Sequence, residues 1–438
     1  MRRFLWVWTL SLFFKIGLAA FLPLTADESY YWMWSHHLQL SYFDHPPFVA
    51  WLFYLGHWLE PWGQLVRLPT VVLGHLTFLV WYYLLAPKFP WDKFKYWYAL
   101  AFLSPLVGMG SMVGTPDVPL LFFWSLALYF FMNCLRAQKS RDYFLFGGAL
   151  GLGFCSKYHI VLFVPFILLY LGVEKRWHEV SLKKLSLTVL AGVIFSLPVL
   201  VWNFQNQFVS FRFQLDHGLG KSNWTWDWTL GYLVGESLLL FPLVLYAALR
   251  ARPCGEWRVL PYLAWGPLGF FFLSSFRGTV ELNWPHVAFP AAFALVLFSD
   301  RARKTALWTS AFWLALYGFA FYAAAVLPKN SPIAKPFREP FRFRPLASLQ
   351  KEYQPLYAGT YQIASTIWYE TKTPIYKLRD MSRYDFYDTL PQSLPQEDSF
   401  YLIQENWSEL PDWVKKAGYN SHVVKEIEPH FWVVKVSK

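Results

Sequence analysis

Long apolar blocks fill the first three quarters of the chain. Blocks of about 15 to 24 residues, each long enough to cross about 30 Å of hydrocarbon, alternate with short polar stretches. They predict eleven spans, at residues 4–24, 66–87, 96–112, 118–135, 143–156, 159–173, 185–202, 229–249, 259–275, 285–299 and 305–327. After residue 328 charge, proline and tyrosine rise, and no run is long enough to span. The pattern predicts a transmembrane domain at 1–327 and a soluble domain at 328–438.

The tail after residue 328 has its own secondary-structure pattern. SFYLIQ and FWVVKVS have the composition of strands, and 359–371 has that of a helix. The expected fold is therefore a polytopic all-α membrane domain with a small C-terminal α/β domain. The first apolar run is too long for a signal-peptide core and predicts an uncleaved anchor.

The charge distribution gives the expected topology. Only 15% of the 438 residues are charged, against about 25% in soluble domains. The net charge is +11, and the basic residues form clusters at every second break between apolar blocks. The clusters are Arg2 and Arg3; Lys88, Lys93 and Lys95; Arg136, Lys139 and Arg141; Lys175, Arg176, Lys183 and Lys184; Arg250, Arg252 and Arg258; Arg301, Arg303 and Lys304. By the positive-inside rule the N-terminus is cytoplasmic and the tail lies outside. The basic character thus reflects topology and argues against a nucleic-acid partner.

Few ionisable groups fall on the predicted outer face, and they gather at span ends. They are Asp27, Glu28, Asp44, His45, Arg67, Asp117, Lys157, Arg212, His217, Lys221, Arg277, Glu281 and His286. Carboxylates at a membrane boundary are costly unless paired, hydrated or metal-bound, so each is a functional candidate. For Asp27 and Glu28 a purely structural alternative is capping of the following helix.

A divalent metal ion is one further candidate ligand. His45 and His217 each follow an aspartate, Asp44 and Asp216, on the same predicted face. An ion held by Asp44 and His217 is chemically reasonable. The three cysteines lie in or beside spans or in a cytoplasmic loop, so no cysteine metal site is expected outside.

Several strings resemble one known family. DESYYWMWSHHLQLSYFDHPPFVAW is similar to the first outer loop of the bacterial branch of the dolichyl-phosphate-mannose protein mannosyltransferase superfamily. GTPDVPLLFFW, GLGFCSKYHIVLF, PVLVWNFQNQFVSFRFQLDHG and ELNWP follow in the expected order. The tail also resembles the family's outer domain. Members of the branch include the lipid A aminoarabinose transferase and rhizobial galacturonosyltransferases.

The resemblance implies the C-type glycosyltransferase fold and a bacterial inner-membrane enzyme with a periplasmic site. It implies a polyprenyl-phosphate-linked sugar donor, inversion at the anomeric carbon, and a lipid A, core-saccharide, glycolipid or protein acceptor. Asp27 matches the family's essential acidic residue, Glu28 completes the pair, and Asp117 matches the acidic residue between the third and fourth spans. Asp44 and His45 depart from the glutamate and lysine that the aminoarabinose transferase has there, near the donor phosphate.

The reaction assigns roles to these residues. Asp27 is expected to activate an acceptor hydroxyl, or to position an acceptor phosphate, with Glu28 or Asp117 orienting it. Cations at low dielectric stabilise the leaving phosphate, a role that suits Lys157 and Arg212, with His45 beside them. Snorkelling to the interface is the alternative for Lys157. Further outer-face candidates are Arg67, Glu281 and Asn283.

Three other functions are weighed against these sequence features. A transporter or flippase of a lipid-linked substrate usually shows inverted repeats and charges at the bilayer midplane, whereas here the acidic groups gather at one face. A surface-polysaccharide ligase or polymerase would share the outward site and the donor. A non-catalytic sensor would bind a ligand through the tail.

Overall fold

A computed structural model describes residues 1–219, 224–328, 331–405, 409–427 and 430–438, without the side chains of 216–219 and 339. The helices α1 to α19 are, in chain order, Arg2–Phe21, Ala26–Ser35, Phe48–Leu55, Leu68–Leu85, Trp91–Leu103, Asp117–Ala137, Ser140–Phe154, Phe163–Val173, Leu182–Gln205, Val209–Leu219, Trp226–Leu240, Pro242–Leu249, Val259–Ser274, Phe289–Val296, Ala302–Ala325, Lys335–Arg338, Leu349–Glu352, Tyr361–Thr371 and Asp412–Lys416. The strands β1 to β5 are Leu356–Ala358, Tyr376–Lys377, Ser399–Glu405, Asn420–Ile427 and Phe431–Ser437. Contacts divide the chain into two compact units, Met1–Leu22 with Gln39–Phe319 and Pro23–Leu38 with Ala320–Lys438.

The helical unit follows the predicted apolar blocks. Among the described residues, five segments are long and apolar enough to cross a membrane: Arg2–Phe21, His57–Leu85, Asp117–Ala137, Leu182–Gln205 and Ala302–Ala325. Helices form their backbone hydrogen bonds internally, which is required in hydrocarbon because no water is present there to bond to the backbone. Only 22% of the apolar window of α1, and of α9, is buried inside the protein. Their exposed apolar side chains suit contact with lipid. The remaining predicted blocks also form helices, but their crossing of the membrane stays a prediction.

Two predicted spans are interrupted. The block at 229–249 forms α11 and α12, which meet at an angle of 86°. Phe241, between them, has a positive φ of 68°, and Pro242 cannot donate the backbone hydrogen bond that would continue α11. The block at 96–112 is α-helical only to Leu103, where α5 ends two residues before Pro105, and its last three residues form the 3-10 helix Gly110–Met112.

Glycines allow close packing of α7 against α9. A Cβ on Gly147 would lie 2.1 Å from the carbonyl oxygen of Thr188, and one on Gly151 would lie 2.6 Å from that of Gly192. No larger residue fits either position without moving a backbone. This contact fixes the C-terminal end of α7, where Lys157 follows.

The second unit is built on a five-stranded sheet with strand order β2-β1-β3-β5-β4. The strands predicted from SFYLIQ and FWVVKVS are β3 and β5, which pair antiparallel, and the predicted helix at 359–371 is α18. Helix α2 belongs to this unit and packs on α18: the ring of Trp32 contacts that of Tyr369 at a centroid distance of 5.1 Å. Residues 25–38, which belong to the first predicted outer loop, therefore fold with the tail.

Candidate active site

A buried ion pair marks the beginning of α6. Lys157 Nζ donates to Asp117 Oδ1 at 2.6 Å, and Asn283 Nδ2 donates to Asp117 Oδ2 at 2.7 Å. The side chains of Lys157 and Asp117 are only 7% and 15% exposed. Both carboxylate oxygens of Asp117 are thus occupied by donors from distant parts of the sequence.

Local structure explains the position of each partner. Asp117 occupies the first turn of α6, where the helix dipole and the free N–H groups favour an anion. Lys157 lies just after α7 in an extended conformation (φ −159°, ψ 138°), which separates α7 from the 3-10 turn Tyr158–Leu162. The sequence GTPD therefore places the carboxylate of Asp117 at the beginning of α6, and the end of α7 brings the amine of Lys157 to it.

The segment from Asn283 to His286 closes over the same helix end. His286 is buried, and its Nδ1 and Nε2 lie 2.6 Å and 3.1 Å from the carbonyl oxygens of Asn283 and Asp117. Its Nδ1 is also 3.7 Å from Asp117 Oδ1. The ELNWP segment and α6 are therefore held together by backbone and side-chain contacts.

This arrangement limits what Asp117 does chemically. A carboxylate that already accepts from an ammonium and an amide is poorly suited to take a proton from substrate. It instead fixes the position of Lys157. A lysine has three N–H donors, and within the described part of the chain its side-chain hydrogen bond is the one to Asp117. The ammonium group can therefore still donate to a bound anion.

The loop that contains Asp44 and His45 packs near this end of the helical unit. Gln214 Nε2, in α10, donates to the carbonyl oxygen of Asp44 at 2.8 Å. The N–H of Phe48 donates to the carbonyl oxygen of Cys155, two residues before Lys157, at 3.0 Å. Asp44 is buried. The loop and the segment around Lys157 are thus neighbours.

Arg212 and His217 lie on α10. Arg212 is exposed to solvent. The side chain of His217 lies outside the described residues, as does Lys221. A metal ion between Asp44 and His217 stays a prediction.

Asp27 and Glu28 begin α2, in the second unit, and their environments differ. Glu28 is buried and forms a capping box with Thr25: the N–H of Thr25 donates to Glu28 Oε2 at 2.9 Å, and the N–H of Glu28 donates to Thr25 Oγ1 at 3.2 Å. Asp27 is exposed, and its Oδ1 accepts from the hydroxyl of Tyr361 at 3.2 Å. Glu28 therefore caps the helix, and Asp27 presents its carboxylate to solvent.

The other candidates are dispersed. Arg67 is buried at the beginning of α4, and Glu281, the first residue of the ELNWP segment, is exposed. Asn283, in contrast, reaches Asp117 directly.

Sequence reasoning missed two features. Tyr361 orients Asp27 from the tail, and no local motif marks it. Glu236 is buried in α11, and both its carboxyl oxygens lack a hydrogen-bond partner among the described residues. The sequence does carry a signal for Glu236, because it is an acidic residue within an apolar block.

The chain is similar in sequence to several known proteins. The family model for dolichyl-phosphate-mannose-protein mannosyltransferase matches residues 44–202. A lipid A galacturonosyltransferase (RgtD) of Rhizobium johnstonii is 24% identical over 411 residues, which cover 86% of this chain and 81% of that protein. The undecaprenyl phosphate-alpha-4-amino-4-deoxy-L-arabinose arabinosyl transferase of an Enterobacter species is 29% identical over 188 residues, which cover 38% of this chain and 32% of that protein.

A solved structure shares the fold over nearly the whole chain. ArnT from Cupriavidus metallidurans, crystallised with undecaprenyl phosphate, superposes with a TM-score of 0.69 at 16% identity, covering 99% of this chain and 97% of that one. Its apo state superposes with a TM-score of 0.67 at 15% identity. At this identity the likeness establishes a common fold.

Proposed function

We propose that this chain, which resembles the bacterial branch of the dolichyl-phosphate-mannose protein mannosyltransferase superfamily and matches its family model over residues 44–202, is an inverting glycosyltransferase. It moves a single sugar from a polyprenyl-phosphate donor to a cell-envelope acceptor such as lipid A, the lipopolysaccharide core or another glycolipid. The site faces the periplasm of a bacterial inner-membrane protein whose N-terminus is cytoplasmic.

The observation that carries the proposal is the ammonium group of Lys157, held by Asp117 in a buried position. The leaving group of the reaction is a phosphate on a lipid, and negative charge grows on its bridging oxygen as the bond to the sugar breaks. A cation fixed where water is scarce stabilises such charge more than a mobile surface lysine does. Asn283 supports the same role, because it holds the second oxygen of Asp117.

Asp27 is the proposed general base. Its side chain is exposed, and its Oδ1 accepts from the hydroxyl of Tyr361. The acceptor hydroxyl gives its proton to Asp27 while its oxygen bonds to the anomeric carbon. The bond from that carbon to the phosphate oxygen breaks, and the polyprenyl phosphate leaves with the bonding electrons.

Other residues position these groups. Glu28 holds the first turn of α2, and with it the backbone of Asp27, through the capping box. Arg212 and His45 are proposed to add positive charge for the donor phosphate. Arg212 suits this role because it is exposed on α10, whose Gln214 contacts the loop of His45.

The direct test uses the full-length protein in membranes that contain a radiolabelled polyprenyl-phosphate sugar. Asp27→Asn is expected to lower transfer by about 10²- to 10⁴-fold, the range of a lost general base. The protein should still insert and remain monodisperse in detergent. Asp92→Asn is the matched control, because Asp92 is an exposed carboxylate at the beginning of α5. Wild-type transfer by Asp27→Asn would remove the base assignment.

The donor side is tested by Lys157→Met. We expect a fall in the transfer rate of about 10²- to 10³-fold, as when a group that stabilises developing charge is removed. An unchanged rate and an unchanged donor KM would show that Lys157 does not act on the phosphate.

A further inference from the structure

Two tyrosine rings of the second unit lie next to the proposed base, Asp27. Tyr361, the first residue of α18, donates its hydroxyl to Asp27 Oδ1 at 3.2 Å. Tyr30 lies about one turn after Asp27 in α2, and its ring centre is 4.3 Å from that of Tyr361. Because the two rings are in contact and Tyr30 is buried, the position of Tyr30 constrains the hydroxyl that bonds to Asp27.

The loop between β2 and β3 contacts both of these rings. The backbone N–H of Phe386 donates to the hydroxyl oxygen of Tyr30 at 2.9 Å, and both residues are buried. Three residues earlier, the guanidinium group of Arg383 lies 5.0 Å from the centre of the Tyr361 ring. That distance is within the reach of a cation–π contact, about 6 Å. The position of this loop therefore determines where the two rings are held.

A buried lysine fixes the loop in turn. Lys377, on β2, is 0% exposed, and its Nζ donates to the carbonyl oxygen of Arg383 at 2.9 Å and to Asp385 Oδ2 at 2.7 Å. It also donates to Asp388 Oδ2 at 2.5 Å. A lysine has three N–H donors, so these bonds use all of them. A buried polar network whose donors are satisfied makes its surroundings rigid, and this one holds residues 383–388, here called the 383–388 loop.

We infer that the 383–388 loop holds the proposed base in place, with Tyr30 and Tyr361 as positioning residues. This inference rests on the proposed function. Lys377 fixes the loop, the loop fixes the two rings, and the hydroxyl of Tyr361 fixes the carboxylate of Asp27. A general base must lie about 2.6–3.2 Å from the group whose proton it takes. A displacement of about 1 Å caused by a distant change can cost about 10²-fold in rate. The tail therefore contributes to catalysis through Asp27.

The test uses Tyr30→Phe, Tyr361→Phe and the double variant in the full-length protein. Each substitution removes one hydroxyl group and keeps the ring. Transfer is measured in membranes that contain the radiolabelled polyprenyl-phosphate sugar, and rates are expressed per folded protein. Each single variant should lower kcat about 10-fold, the factor that one hydrogen bond contributes, and leave the donor KM unchanged. Because both act through one carboxylate, the double variant should lose about as much as the more impaired single variant.

A pH–rate profile separates positioning from a general effect on stability. A hydrogen bond to an ionised carboxylate favours that form, so the acid limb of the kcat profile should move to higher pH in Tyr361→Phe. Tyr419→Phe is the matched control, because its hydroxyl donates to the carbonyl oxygen of Glu397 at 3.0 Å in the same unit, outside α2, α18 and the 383–388 loop. The control should keep the wild-type rate and profile.

The outcomes distinguish this inference from the proposed function. Wild-type kcat in the two single variants, additive losses in the double variant, or an unmoved acid limb in Tyr361→Phe would overturn the inference alone. Lower thermal stability with a wild-type kcat would show a structural role and overturn it as well. Wild-type transfer by Asp27→Asn, or no transfer by the wild type, would overturn the proposed function together with the inference.

Discussion

Removing the charge of either Asp117 or Lys157 should destabilise the helical unit more than removing both. At the observed 2.6 Å the pair attracts by about 6 kcal/mol for an effective dielectric constant of about 20. Transfer of the two ions from water offsets much of that gain. A variant that lacks one partner retains the desolvation cost without the attraction, and is expected to lose about 3–5 kcal/mol.

The assay is a double-mutant cycle with Asp117→Asn, Lys157→Met and the double variant, measured as free energies of unfolding by SDS titration in mixed micelles. Asn at position 117 still accepts from Asn283, so the substitution isolates the charge. The double variant should lose less than either single variant, giving a coupling energy of about 2 kcal/mol or more.

Additive effects, or single variants that lose under about 1 kcal/mol, would refute this reasoning. Such values are typical of exposed ion pairs. Lys415→Met serves as the control for the method, because Lys415 pairs with Glu409 at the solvent-exposed surface, and its loss should leave stability nearly unchanged.

Two further predictions concern the second unit. Lys377 is fully buried and donates to Asp385 at 2.7 Å and to Asp388 at 2.5 Å. Lys377→Met should therefore lower the free energy of unfolding of the second unit by about 3–5 kcal/mol. The measurement is the protease sensitivity of the tail, which should increase. Burial lowers the pKa of the half-buried His37, with repulsion from His36 adding to the effect. The unfolded chain therefore binds the proton more readily, and stability is lost as the pH falls below about 6.5. His37→Gln should lose less stability than the wild type on acidification, and equal losses in thermal melts would exclude this contribution.

The positions of the helices could be predicted because lipid imposes a simple length and polarity rule. Apolar blocks such as 118–135 and 185–202 correspond to α6 and α9 within a few residues. The two strands β3 and β5 were equally visible as alternating segments. The break at Phe241 was not predicted, although Pro242 carries the signal: a proline inside an apolar block interrupts helical hydrogen bonding.

The site was predictable as a set of candidates but not as a set of contacts. Asp117 and Lys157 were both recognised, yet in separate roles, because 40 residues separate them and only the packing of α6 on α7 brings them together. The capping role of Glu28 agrees with the structural alternative offered by the sequence, because Thr25 and Glu28 have the spacing of a capping box. Tyr361 is 334 residues from Asp27, so only tertiary structure reveals that bond.

Mass spectrometry of envelope glycolipids from cells with and without this gene tests the glycosyltransferase assignment most directly. The account predicts that one glycolipid loses a single sugar unit in the deletion strain, and that the wild-type gene, but not Asp27→Asn, restores it. Identical glycolipid masses in the two strains, or a change in polymer length without loss of a single unit, would contradict it.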